Sequence, residues 1–175
     1  MARIAREHGC RRIVDLGCGT ARKLVEMHPH YDIIGVDYGS NIGFCRSTYA
    51  WGRWIEHDLD SAAPLPLSAA DLQGSVIVAA DVIEHLQRPE RLLAALRLAL
   101  RHASAAVLST PERDLTWGAG HRGPPPNECH VREWNQEELR RFLADEGLAD
   151  PQLGLTRSNN VDPSLQTLLA IVPAG

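Results

Sequence analysis

Short apolar runs alternate with polar, glycine-bearing punctuation along this chain. Ile13-Val14-Asp15-Leu16 is such a run, closed by Gly17-Cys18-Gly19-Thr20, and Ala21 to Met27 then reads as a short helix. Ile33-Ile34-Gly35-Val36-Asp37 predicts a second buried strand, a third lies within Tyr49 to His57 and ends near Asp58, and Ser75 to Ala80 predicts a fourth. Pro89 stands where a first helical turn tolerates a missing N–H, and Leu92, Leu93, Leu96, Ala99 and Leu100 form one apolar stripe behind it. Ala105 to Ser109 predicts a fifth strand. Asn135 and Glu138 have capping-box spacing, Trp134 and Leu139 occupy staple positions, and Gly147 ends that helix. Gln152 to Arg157 and Gln166 to Val172 predict an antiparallel pair at one sheet edge. Strands and helices in alternation predict an α/β fold: a Rossmann-like, doubly wound, mostly parallel seven-stranded sheet with helices on both faces and an antiparallel C-terminal edge.

The 175 residues fit a single domain spanning 1–175, and a hydrophobic share of 44% suffices for one core without metal or disulfide staples. A net charge of -4 offers no basic field for phosphates, which argues against nucleic acid as a partner and for a small molecule. Basic charge is carried almost wholly by arginine, Lys23 being the only lysine. Cys10, Cys18, Cys45 and Cys129 form no C-x-x-C pair, so reduced thiols and a cytoplasmic location are expected. No apolar run approaches the roughly 18 residues a bilayer span needs, so no stable membrane insertion is expected.

Glycines at positions 17 and 19 sit where a nucleotide-like ligand meets the end of a first strand and allow close backbone approach. By itself such a loop is also an ordinary strand-to-helix turn. Arg22 stands where the dinucleotide fingerprint needs its third glycine, which weakens a nicotinamide-dependent oxidoreductase. Asp37 ends the second strand about 20 residues on, the spacing at which a carboxylate accepts ribose hydroxyls. Asp58 is placed to meet an adenine amino group, with Asp60 a near equivalent.

Taken together, Val14-Asp15-Leu16-Gly17-Cys18-Gly19-Thr20, Gly35-Val36-Asp37, His57-Asp58-Leu59 and Asp81-Val82-Ile83-Glu84-His85-Leu86 resemble the class I S-adenosylmethionine-dependent methyltransferases, from about Ile13 to Val172. The likeness is greatest to the small-molecule group that contains ubiquinone-pathway methylases and sugar-tailoring enzymes. It implies S-adenosylmethionine as cofactor. Asp15, Gly17, Cys18 and Gly19 would approach its methionine part, Asp37 and Tyr38 its ribose, Asp58 and Leu59 its adenine, and Ala80 its amino group. His85 would line the same pocket, although a histidine that only satisfies backbone carbonyls looks identical in sequence. Fewer residues precede the first strand than in relatives, which implies a thin lid or one completed by a second subunit of a homodimer.

The segment 111–134 lacks periodicity and follows the fifth strand, where acceptors meet such sheets. Glu112, Arg113, Trp117 and Trp134 are the expected substrate contacts. A neutral hydroxyl must lose its proton as it attacks, and an imidazole's ordinary pKa of about 6.5 suits that task. His130 and His121 are the candidate bases, His130 preferred for its proximity to the Trp134 helix. Asp81, Glu112, Asp114 and Glu128 are carboxylates available to Mg²⁺, although scattered carboxylates are more often solvated. The expected activity is O-methylation of a small hydroxylated acceptor, a sugar or glycoside before a quinol, phenol or amine. A non-catalytic cofactor-binding protein is the remaining alternative.

Overall fold

The computed structural model describes residues 1–148, 150–157 and 166–174. Helix α1 (Ala2–Glu7) leads into β1 (Arg12–Leu16), a 3-10 turn at Arg22–Leu24, β2 (Asp32–Asp37), α2 (Ser40–Thr48) and β3 (Arg53–Glu56). Then come α3 (Ala69–Leu72), β4 (Ser75–Ala80), a 3-10 turn at Ile83–His85, α4 (Pro89–Ala99) and β5 (Ala105–Pro111). The chain closes with α5 (Arg113–Trp117), α6 (Gln136–Asp145), β6 (Gln152–Arg157) and β7 (Gln166–Pro173).

The seven strands lie in the order β3-β2-β1-β4-β5-β7-β6. The first five are parallel, and β7 runs antiparallel to both β5 and β6. This is the doubly wound sheet expected from the hydrophobic pattern, with its antiparallel edge. From β1 the chain steps outward to β3, then returns to pair β4 on the other side of β1. Strand order therefore reverses between β1 and β4, and the crevice at their carboxyl ends is where such sheets take ligands.

Alternation along the strands builds two cores. Val14, Leu16, Ile34, Val36, Ile77 and Leu108 face α4 and α6, whose Leu92, Leu93, Leu96, Leu139 and Leu143 fill that side. Ile13, Ile33, Val76, Val78 and Val107 face the other way, against α1, the turn at Leu24 and α2. The apolar stripe expected on α4 is buried, and its Pro89 opens the helix. The Asn135–Glu138 capping box is formed on α6, with both reciprocal hydrogen bonds present.

Three local expectations need correction. The helix expected at Ala21 to Met27 is a 3-10 turn, because Ala21 takes a left-handed conformation (φ 56°) and breaks helical continuity. The segment 111–134 is not wholly irregular: β5 runs on to Pro111 through pairing with β7, and α5 follows. Helices α1, α2 and α3 had no counterpart in the pattern.

Candidate functional site

The first strand ends in a loop that needs its glycines. Gly17 (φ 78°) and Gly19 (φ 54°) both occupy the left-handed region, and a Cβ on Gly17 would overlap the side chain of Val82. A Cβ on Gly19 would meet nothing within 4 Å, so that backbone opens onto free space. At Gly35 a Cβ would lie 2.5 Å from Trp54 and 2.8 Å from Cys18 Sγ, which is why β2 carries glycine beside the loop.

Asp37 ties this loop to the end of β2. Its Oδ2 accepts the Gly19 N–H (2.6 Å), and its Oδ1 accepts the Tyr38 N–H (2.7 Å) and the Asn41 amide (3.2 Å). Tyr38, 66% exposed, stands at the rim. Asp15 is buried below the loop. Burial pushes its carboxyl up to about 7; Lys23 pulls the other way and Asp37 adds to the rise. Cys45 Sγ donates to the Gly19 carbonyl (3.4 Å), and burial raises the Cys18 thiol well above its ordinary range.

Past β3, the two neighbouring aspartates have different jobs. Asp60 accepts the Gln87 N–H (3.0 Å) and the Arg88 N–H (2.7 Å), and its carbonyl accepts from Arg91, so it holds the entry to α4. The Asp58 carboxylate accepts only the Asp60 N–H (2.9 Å) among the described residues, and the residue is exposed. Leu59 is half-buried against the α4-side core. Ala80 ends β4, and Asp81 beyond it is strained into φ 57°, where Ser109 donates to it (2.9 Å) and Lys23 Nζ lies 3.8 Å away. A cleft of about 230 Å³ opens there, lined by Lys23, Ala80, Asp81, Ser109, Arg157 and Thr167 among others.

Glu84 and His85 project from the turn after β4. Glu84 is buried and accepts the Thr110 hydroxyl (2.9 Å). Burial lifts its carboxyl to about 7, against its own backbone hydrogen bond and that of Thr110. The His85 and His130 rings meet edge to face, centroids 4.8 Å apart. His130 Nδ1 lies 2.6 Å from the buried Glu133 carboxylate, which also accepts the Trp117 indole N–H (2.6 Å). Glu133 had not been singled out, though the His-x-x-Glu spacing on a turn is visible in the sequence. His121 is separate from this cluster in its bonding: its Nε2 contacts the Pro124 carbonyl (3.1 Å), in a pocket of about 250 Å³ with Arg122, Pro125 and Arg132.

Several expected substrate contacts are structural. Trp134 is 7% exposed and stacks on Phe142 (5.7 Å, 10°), because the staple position before α6 faces the core. Glu112 is buried, accepting the Leu115 N–H (2.6 Å) and the Gln136 N–H (3.2 Å), and so caps α5 and the start of α6 together. Arg113 forks onto Glu138 (2.6 and 3.0 Å) and pairs with Asp114, which in turn accepts the Asn135 amide (2.9 Å). Of the four, Trp117 keeps an exposed face and Arg113 lines the His121 pocket. Asp81, Glu112, Asp114 and Glu128 do not converge on a shared point; among the described residues the only group with metal-ligand spacing is Glu84, His85 and His130. The expected Mg²⁺ quartet is therefore withdrawn.

A larger apolar groove of about 450 Å³, between 61–72 and the outer face of α4, contains none of these residues. No helix among the described residues is long and apolar enough to cross a membrane.

A sequence profile of the family described as "Methyltransferase domain" matches residues 2–153. No curated protein matches the sequence. Among solved structures, the methyltransferase domain of bacterial CtHen1-C superposes with a TM-score of 0.70 at 16% identity, covering 99% of this chain and 94% of that one. The N-terminal domain of EvdMO1, crystallised with SAH and D-fucose, gives 0.67 at 17% identity, covering 99% and 81%. Magnesium protoporphyrin IX methyltransferase from Synechocystis PCC 6803 with bound SAH gives 0.67 at 14%, covering 99% and 80%. At these identities the structures speak for the fold.

Proposed function

The chain belongs to the methyltransferase-domain family, and we propose that it transfers a methyl group from S-adenosylmethionine to a hydroxyl of a small polar acceptor, a sugar or glycoside. The residues present fit the cofactor: the Gly19 backbone opens on unfilled space, and the Asp37 carboxylate stands beside it at the end of β2. Asp37 and Tyr38 would hold the ribose, its hydroxyls taking the place of the Gly19 N–H on Asp37. Asp58 and Leu59 would meet the adenine, and Asp15, Gly17, Cys18, Ala80 and His85 would surround the methionine part. When bound, the cofactor supplies a methyl group already activated on a sulfonium: a C–O bond forms, the C–S bond breaks, and its electron pair stays on sulfur.

What remains for the protein is alignment and the acceptor's proton. The carrying observation is the His130–Glu133 pair (2.6 Å) at the carboxyl ends of β4 and β5. A carboxylate on Nδ1 keeps the proton there and leaves Nε2 to accept one. His130 Nε2 would thus exchange its Asn127 donor (2.9 Å) for the acceptor and take the hydroxyl proton as the C–O bond forms. His121 stays the alternative base. The saccharide reading is supported by the hydrogen-bonding side chains of Lys23, Asp81, Ser109 and Arg157 in the mixed polar and apolar cleft beyond β4, and by the neighbour crystallised with D-fucose.

Turnover of methyl-labelled cofactor with a panel of glycosides, phenols and amines tests this. Label should enter glycosides, and S-adenosylhomocysteine at a hundredfold excess over its Kd should stabilise the wild type by about 2.7 kcal/mol. Asp37→Ala should abolish that stabilisation, whereas His130→Ala should keep it and slow transfer. Label entering only amines would replace the acceptor class.

A further inference from the structure

Three ligand atoms, one each from Glu84, His85 and His130, lie within 4.8 Å of one another. Two come from the turn after β4 and one from the segment before α6, yet the grouping is not a chance of surface rotamers. Main-chain bonds join the segments, Val131 N–H to the Glu84 carbonyl (2.7 Å) and Arg132 N–H to the same oxygen (3.4 Å).

The partners around the two rings fix which nitrogen carries the proton. His85 Nδ1 faces the Cys129 carbonyl (2.8 Å), which only accepts, so Nδ1 is protonated and the Nε2 lone pair is available. His130 Nδ1 faces the Glu133 carboxylate (2.6 Å), with the same result. Its Nε2 lies 2.9 Å from the Asn127 side-chain nitrogen, which only donates, because the Asn127 oxygen already accepts the Cys129 N–H (3.0 Å). Thr110 orients the third donor through Glu84 Oε2. Outer carboxylates, carbonyls and hydroxyls that lock the rings and the acid in this way are the second layer of a metal centre. Glu84 is 1% exposed, and no Lys or Arg pairs with it among the described residues. A buried carboxylate without a countercharge is costly, and a cation beside it removes that cost.

We propose that Glu84, His85 and His130 bind a divalent first-row transition ion such as Mn²⁺, Co²⁺, Fe²⁺ or Zn²⁺, leaving its other positions to water and to the acceptor's oxygen. Two imidazoles and one carboxylate suit those ions; Mg²⁺ prefers oxygen ligands throughout. The inference deepens the function proposed above and rests on it only for the acceptor. His130 becomes a ligand in place of a base, Asn127 gives up its bond to Nε2, and the acceptor hydroxyl, acidified by the ion, releases its proton to solvent water.

The test is titration of Co²⁺ and Mn²⁺ into the chelator-stripped full chain, read by calorimetry and, for Co²⁺, by visible absorption, with no acceptor present. One equivalent of Co²⁺ should bind, Mg²⁺ more weakly. His85→Ala and His130→Ala should each weaken Co²⁺ by more than tenfold, with circular dichroism reporting an intact fold. Glu133→Gln should weaken it by about tenfold through the His130 ring. Asp37→Ala, expected to lose the cofactor, should keep Co²⁺. Absence of saturable binding at millimolar Co²⁺, or binding unchanged in both histidine variants, would overturn the site. A chain that binds Co²⁺ but methylates no glycoside keeps the site and loses the acceptor; one that methylates glycosides without binding Co²⁺ returns His130 to the role of base.

Discussion

Gly17 shows how tightly one position can be bound to its neighbours. It combines φ 78° with a side chain of Val82 where a methyl would go, so Gly17→Ala must strain the backbone and displace the turn after β4. We expect a loss of about 1–3 kcal/mol in urea unfolding from the overpacking. Gly19→Ala has only the left-handed backbone against it, so its stability cost should be smaller while S-adenosylhomocysteine binding weakens, read by calorimetry. Asp15 adds a pH signature. The folded chain keeps its proton up to about pH 7, whereas the unfolded chain releases it near the ordinary aspartate value of 3.8. Between those limits the native state holds more protons, so Asp15 lowers stability as pH rises through that window. Denaturant unfolding of Asp15→Asn across pH 4–7 should lack that contribution, and cofactor binding to the wild type should strengthen as the carboxylate ionises opposite a cationic ligand. The glycine loop at Gly17 and Gly19 and the close of β2 at Asp37 were legible as local structure because their spacing is local. That Glu112 and Trp134 turn inward was not visible, because residue type does not say which way a side chain points. The capping box one residue on did hold the signal that Trp134 faces inward.

At the level of elements, the segment after β5 is ordered by caps. Glu112 serves two helix starts with one carboxylate, and Asn135, Glu138, Arg113 and Asp114 close a ring of bonds around the first turn of α6. Glu112→Ala should cost about 1–2 kcal/mol, since the first N–H groups of α5 and α6 lose their capping acceptor. Asn135→Ala should cost about 1 kcal/mol. If Glu112 instead touched the acceptor, its removal would raise KM with little change in Tm, so thermal melts beside acceptor kinetics separate the two roles. The strong pattern of α4 and α6 made both readable in advance. The sequence of α2, Ser40 to Thr48, is rich in Gly, Ser and Thr and buries only Ile42 and Cys45, so its helicity comes from packing on the sheet. Helices α1 and α5 are too short to show a period at all.

For the molecule as a whole, strand alternation separates two cores by the thickness of the sheet. Leu93→Ala on one side should cost about 2–5 kcal/mol, and Ile42→Ala on the other a comparable amount. With no shared partners, the double variant should equal their sum to within about 0.5 kcal/mol; a larger departure would mean that the sheet transmits strain between its faces. The arrangement of the sheet was readable because each apolar run has the length of a strand. What the pattern did not hold was convergence, the meeting of Glu84, His85 and His130 from distant parts of the chain.

One consequence follows from the Lys23–Asp81 pair at the rim of the crevice. Apart from the α-amino group at Met1, the molecule offers a single primary amine, and it stands half-exposed in the channel it lines with Asp81, Ser109 and Thr167. Amine-selective reagents therefore act on this protein as a one-address probe. The rate at which Lys23 is acylated, followed by mass spectrometry, becomes a footprint of whatever lies in that channel.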